Sequence, residues 1–107
     1  MYATIRRYSY ERGDVHELSR QIQQGFVPIV SKLPGFVAYY VVNSGMSTLS
    51  TISIFESREG ADQSVRAAAD WVGQNLAEAG LSRPQITAGD VTVHKLAEHP
   101  AGAAYTQ

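Results

Sequence analysis

The sequence predicts an α+β domain in the order βαββαβ, with a four-stranded antiparallel sheet and two helices on one face. Three observations carry this expectation. Short strand-type runs alternate with two segments of helical periodicity. Turn residues punctuate every junction. One strand is apolar at every position, so both of its faces must be covered.

Tyr2 to Tyr8 reads as the first strand, a run rich in Thr, Ile and Tyr. After Glu11-Arg12-Gly13, Asp14 suits a helix cap, and Glu17 three residues on suits a capping box. Val15, Leu18, Ile22, Phe26, Ile29 and Leu33 then recur at spacings of three and four, one face of an amphipathic helix. Pro28 interrupts it. Proline lacks the N–H that would bond to Gln24 and crowds its carbonyl, so a bend or break is expected between Gly25 and Pro28. Pro34-Gly35 ends the element.

Phe36 to Val42 is the doubly apolar strand. Asn43-Ser44-Gly45 reads as a turn, and Thr48 to Phe55 returns as the other arm of a hairpin. Ser57 caps the second helix. Its inner stripe is Ala61, Val65, Ala68, Ala69, Val72 and Leu76, and Gly80 stops it. The last strand is expected at Asp90 to Leu96, after Pro84. The ordered domain should therefore span residues 1–97, with a mobile tail at 98–107 rich in Ala, Gly and Pro.

The chain of 107 residues suits one domain. Nine basic and ten acidic residues leave a net charge of −1, which disfavours nucleic acid as a partner. The absence of cysteine removes disulfides, thiolate metal sites and a cysteine nucleophile. No pair of histidines has metal-ligand spacing, so no metal site is expected. The opening MYATIRRYSY lacks the apolar run of a signal peptide. No stretch reaches the roughly 18–20 apolar residues of a membrane span. These features together suggest a cytoplasmic protein with no membrane partner.

The order βαββαβ is the ferredoxin-like arrangement, whose second sheet face lies open. An open face would leave either Phe36, Ala38, Tyr40 and Val42 or Val37, Tyr39 and Val41 in water, a patch that monomers rarely expose. A homodimer through the sheet face resolves this.

Lys32-Leu33-Pro34-Gly35-Phe36, the opening Glu56-Ser57-Arg58-Glu59-Gly60-Ala61 and the closing run Gly89-Asp90-Val91-Thr92-Val93-His94 resemble the antibiotic biosynthesis monooxygenase-like domains of the dimeric α+β barrel group. The resemblance covers roughly the whole expected domain. It implies the dimeric barrel and leaves the chemistry open, because that group includes oxygenases, haem-degrading enzymes, isomerases and proteins with no known activity. Haem-degrading relatives use an Asn, Trp and His set. Here the first strand has no Asn and no His follows Trp71 in its helix, so the resemblance does not extend to that activity.

Four residues are candidates for binding a small apolar or aromatic ligand: Arg7, Tyr40, Trp71 and His94. Arg6 and Arg7 are adjacent, so one must point towards the helices, where a guanidinium could hold a carboxylate or enolate oxygen. Tyr39 and Tyr40 likewise point to opposite faces, one towards the helices and one towards a dimer contact. Trp71, the single tryptophan, either packs at the edge of its helix stripe or walls a cavity between helix and sheet. His94 shares a strand face with Thr92 and Leu96, and a lone strand histidine is more often a surface residue than a catalyst. His16 and His99 read as solvated. No phosphate loop, serine elbow or paired carboxylates occur.

Two functions follow. One is a cofactor-independent monooxygenase acting on a small aromatic or polyketide-like molecule, which needs a dry pocket and donors for an electron-rich oxygen. The other is a non-catalytic ligand-binding or stress-related module on the same dimeric scaffold. The enzyme requires a cavity beside Trp71 large enough for a small apolar ligand; if bulky strand side chains fill that space, the protein is only a packed scaffold.

Overall fold

A computed structural model describes residues 1–98. The strands are β1 (Tyr2–Ser9), β2 (Phe36–Gly45), β3 (Thr48–Phe55) and β4 (Gln85–Asp90). They form one antiparallel sheet in the order β2-β3-β1-β4. The helices are α1 (Val15–Gln21), α2 (Val27–Val30) and α3 (Arg58–Asn75). Among the described residues no helix is long and apolar enough to cross a membrane. The expected tail lies, apart from Glu98, outside the described residues, as does His99.

Asp14 caps α1 by accepting from the Glu17 N–H at 2.9 Å. The Glu17 carboxylate does not return to close a capping box; it pairs with Arg20 instead. The bend expected at Pro28 takes the form of a wide π-type turn, Ile22–Phe26, joining α1 to α2. The Val27 N–H reaches back to the Ile22 carbonyl, one residue further than in an α-helix. This extra residue shifts the stripe. Val30 is fully buried, and Ile29, expected inside, is 42% exposed.

The hairpin turn also sits later than expected. β2 runs through Asn43 to Gly45, and Met46 and Ser47 form the tip at φ 53° and 58°. Positive φ at both central residues gives a turn twist that matches the strands. Asn43 still serves the turn, accepting from the Gly45 N–H at 3.0 Å.

The last strand requires the largest correction. It spans Gln85–Asp90, not Asp90 to Leu96. The register explains why. Arg7 pairs with Gln85 and Tyr2 with Asp90, so β4 runs out of partner where β1 begins. Val91 makes a final bond to the Met1 carbonyl at 2.9 Å. Val93 and Leu96 beyond it are exposed. After Val91 the strand-type run continues as TVHKL, which has β propensity but pairs with no strand in the single chain.

One sheet face, with Thr4, Arg6, Tyr8, Leu49, Thr51, Ser53 and Phe55, is buried beneath the helices. Leu18, Ile22, Phe26, Val30, Ala61, Ala68, Trp71 and Leu76 cover it. Ala38, Tyr40, Val42, Ile52, Ile54 and Ile5 belong to the opposite face, where Tyr40 is 55% exposed.

Candidate functional site

The alternation of β1 brings Thr4, Arg6 and Tyr8 under the helices and sends Ile5 and Arg7 outward. Arg6 is 2% exposed. Its Nε and Nη1 are buried and have no hydrogen-bond partner. Among the described residues no carboxylate pairs with it. A guanidinium cannot lose its proton in a protein, so this is a buried cation without a counter-charge.

Arg6 faces a cavity of about 20 Å³. Tyr8, Tyr39 and Thr51 join it from three strands, Ile22 and Phe26 from the wide turn, and Trp71 from α3. The Thr51 hydroxyl is buried and also lacks a partner. Burial raises the Tyr8 and Tyr39 phenols above their ordinary pKa, and the nearby Arg6 charge opposes the shift without cancelling it. Both phenols therefore stay protonated at neutral pH and remain donors.

Phe26 stands at the centre of the aromatic wall, its ring centroid 5.7 Å from Tyr39 and 5.8 Å from Trp71. Gly25 lies against the Trp71 ring so closely that a Cβ there would be 2.6 Å from it. The glycine is present for this approach, not as a weak point in the helix.

The volume corrects one expectation. A cavity of about 20 Å³ holds a single water, for which roughly 10–15 Å³ suffices. It does not hold an aromatic ligand as it stands, because Arg6 and Leu49 occupy space that small helix residues leave free. A larger cleft of about 510 Å³ adjoins it, between the start of α1 and the end of α3. Arg12, Glu17 and Gln21 line one side, and Asn75, Glu78 and Ala79 the other. The Asn75 side chain donates to the Trp71 carbonyl at 2.9 Å. Leu76 belongs to both spaces and is the partition between them.

The four sequence candidates are not brought together. Trp71 lines the inner cavity. Arg7 lies on the outer sheet face, in a shallow groove with Ser82, Arg83 and Gln85. Tyr40 is on the open face, and His94 is exposed beyond the end of β4. Their neighbours in sequence, Arg6 and Tyr39, take the inner positions. In β1, Arg6 shares its parity with Thr4 and Tyr8, and Arg7 with Ile5 and Ser9, and the sequence does not say which set faces inward. For Tyr39 and Tyr40 both sets are apolar, and parity alone does not choose. Among the described residues no group of three or more His, Asp or Glu gathers as a metal would require.

No family model matches the chain. No curated protein matches it either. Solved structures do. A protein of unknown function from Nitrosomonas europaea is 23% identical, with a TM-score of 0.73 over 94% of this chain and 95% of that one. A dimeric ferredoxin-like protein from an uncultured marine organism is 10% identical, with a TM-score of 0.70 over 90% and 98%. A monooxygenase from Streptomyces coelicolor, solved with nanaomycin D, is 16% identical, with a TM-score of 0.70 over 90% and 91%. By its fold, the chain is a ferredoxin-like α+β domain, similar to those of a dimeric ferredoxin-like protein and of a monooxygenase.

Proposed function

We propose that the protein oxidises a small electron-rich aromatic molecule with dioxygen and without a cofactor, at the cavity between Trp71 and Arg6. The observation that carries this reading is a buried donor cluster, Arg6 with Tyr8 and Tyr39, facing an aromatic wall. Such a cluster stabilises a developing phenolate or enolate, and the dry surroundings strengthen each interaction. The likeness to a monooxygenase fold supports it. The substrate reaches the outer cleft first and displaces Leu76 to meet Arg6. Among the described residues no carboxylate or histidine lines the inner cavity, so the substrate proton leaves through the cleft as the Arg6 charge lowers its pKa.

Naphthol is a suitable probe. Naphthol plus dioxygen gives naphthoquinone plus water: a C–O bond forms at a ring carbon, the O–O bond breaks, and both displaced hydrogens leave as water. Oxygen uptake with matched quinone formation, abolished in a Trp71→Ala, Arg6→Met double variant, is the expected result. Saturable binding of naphthol without oxygen uptake would assign the protein to the non-catalytic binding modules instead.

The assembly proposed here is a homodimer through the open sheet face, where Tyr40, Val42 and Ile5 are exposed. The likeness to a dimeric ferredoxin-like protein supports it. Tyr40→Glu places a charge in that contact, and a buried unpaired charge is costly. Sedimentation at micromolar concentration should show a dimer for the parent chain, and association weakened at least tenfold, shifting the population towards monomer, for the variant. A parent chain that sediments as a monomer would rule the assembly out.

A further inference from the structure

We infer that the inner cavity recognises a negatively charged group, and that the ligand is a small aromatic carboxylate seated on Arg6. This rests on the reading of the Trp71–Arg6 cavity as the binding site, and is independent of whether anything is oxidised there.

Arg6 is the largest side chain in the fully enclosed core, and two of its donor nitrogens have no acceptor. Proteins rarely leave buried donors unmade, and a buried charge without a partner is the costliest case. The other polar groups around the space approach Arg6 with phenol oxygens and bring no negative charge opposite it. Thr51 brings a hydroxyl without a partner, and Tyr8 and Tyr39 bring phenols that burial keeps protonated. The cluster therefore offers donors from four side chains and no ionised acceptor. A carboxylate is its chemical complement. It is acceptor-only, has about four lone-pair sites, and carries the charge that Arg6 lacks opposite it.

The remaining walls define what the carboxylate is attached to. Trp71, Phe26 and Leu76 are flat or apolar and follow directly on the polar end. The cavity accommodates the head group in place of one water. A ring attached to it turns Leu76 aside and extends towards the cleft of about 510 Å³. A neutral ligand of the same shape can accept a hydrogen bond but brings no charge opposite Arg6.

Benzoate and benzyl alcohol test this, since they share a ring and differ in charge. Trp71 emission and melting temperature are recorded for the full chain with each probe. Benzoate should shift the emission saturably and raise the melting temperature by mass action, with benzyl alcohol at least tenfold weaker. Arg6→Met should lose at least tenfold in benzoate affinity and leave benzyl alcohol within twofold. Arg6→Lys should recover part of the loss. In the absence of ligand, Arg6→Met should melt no lower than the parent, because it removes an unpaired charge and keeps the volume. Equal binding of the two probes, or no effect of either, overturns the inference. So does undiminished benzoate binding by Arg6→Met. If Arg6→Met does not fold, the comparison of the two probes on the parent chain decides. Oxygen uptake with naphthol is scored separately: benzoate bound through Arg6 without any uptake keeps this inference and removes only the oxidation.

Discussion

Phe55→Ala is expected to lower the stability of the fold by about 3–5 kcal/mol, the cost of truncating a large aromatic where the cavity cannot collapse. Phe55 is fully buried at the end of β3. It pairs with Tyr2 on one side and Phe36 on the other, with the Phe36 ring centroid 5.7 Å away. Above it, Gly60 at the start of α3 comes so near that a Cβ would be 2.9 Å from the ring. Strands on both sides and a helix start fix the walls, so little relaxation is available. Against a total of about 5–15 kcal/mol for such domains, the loss is a large fraction. Urea unfolding followed by circular dichroism measures it. A loss below about 1 kcal/mol would mean that the neighbours close over the gap.

Gly25→Val should cost about 3 kcal/mol, the upper part of the usual range for overpacking. The Cβ alone would lie 2.6 Å from the Trp71 ring, and the two methyls beyond it have nowhere to go while Phe26 packs on the same indole. Either Trp71 swings out of the cavity or the wide turn moves off α3. Both outcomes expose the indole, so its emission should shift to the red along with the loss of stability. Gly73→Ala is the control. It lies on α3, and a Cβ at this position meets nothing within 4 Å. There alanine should be neutral or stabilising by up to about 1 kcal/mol through helix propensity. A Gly25 variant with unchanged emission and stability would show that the indole does not rest on this turn.

The distribution of legible and illegible features has a physical basis. The order of elements, the caps at Asp14 and Ser57 and the bend before Pro28 are local consequences of a few neighbouring residues, and the sequence displays them. The position of β4 is not local. The run after Asp90 is the better strand former, yet β1 offers partners only from Tyr2 onward, and pairing outweighs propensity. The identity of the inner arginine depends on strand parity, and one residue of parity exchanges Arg6 for Arg7. Gly25 is similar: its neighbour Trp71 is distant in sequence, so a residue needed for close packing reads as a simple helix weakener. The wide turn has the same character. The spacing of apolar residues indicated Ile29 as inward, and a single extra residue in the turn gave that place to Val30.

The strand order carries a consequence for how the chain comes off the ribosome. β1 is made first and ends in the interior of the sheet, between β3 and β4. Its pairing with β4 joins Tyr2 to Asp90, close to the greatest sequence separation in the described chain. During synthesis, which proceeds at about 5–20 residues per second, the first strand must wait with one edge unbonded until the last one emerges. Long-range closure of this kind slows folding, because the entropy of a long loop is lost before the contacts that reward it form. For that interval the nascent chain presents an unpaired hydrogen-bonding edge to whatever surrounds it.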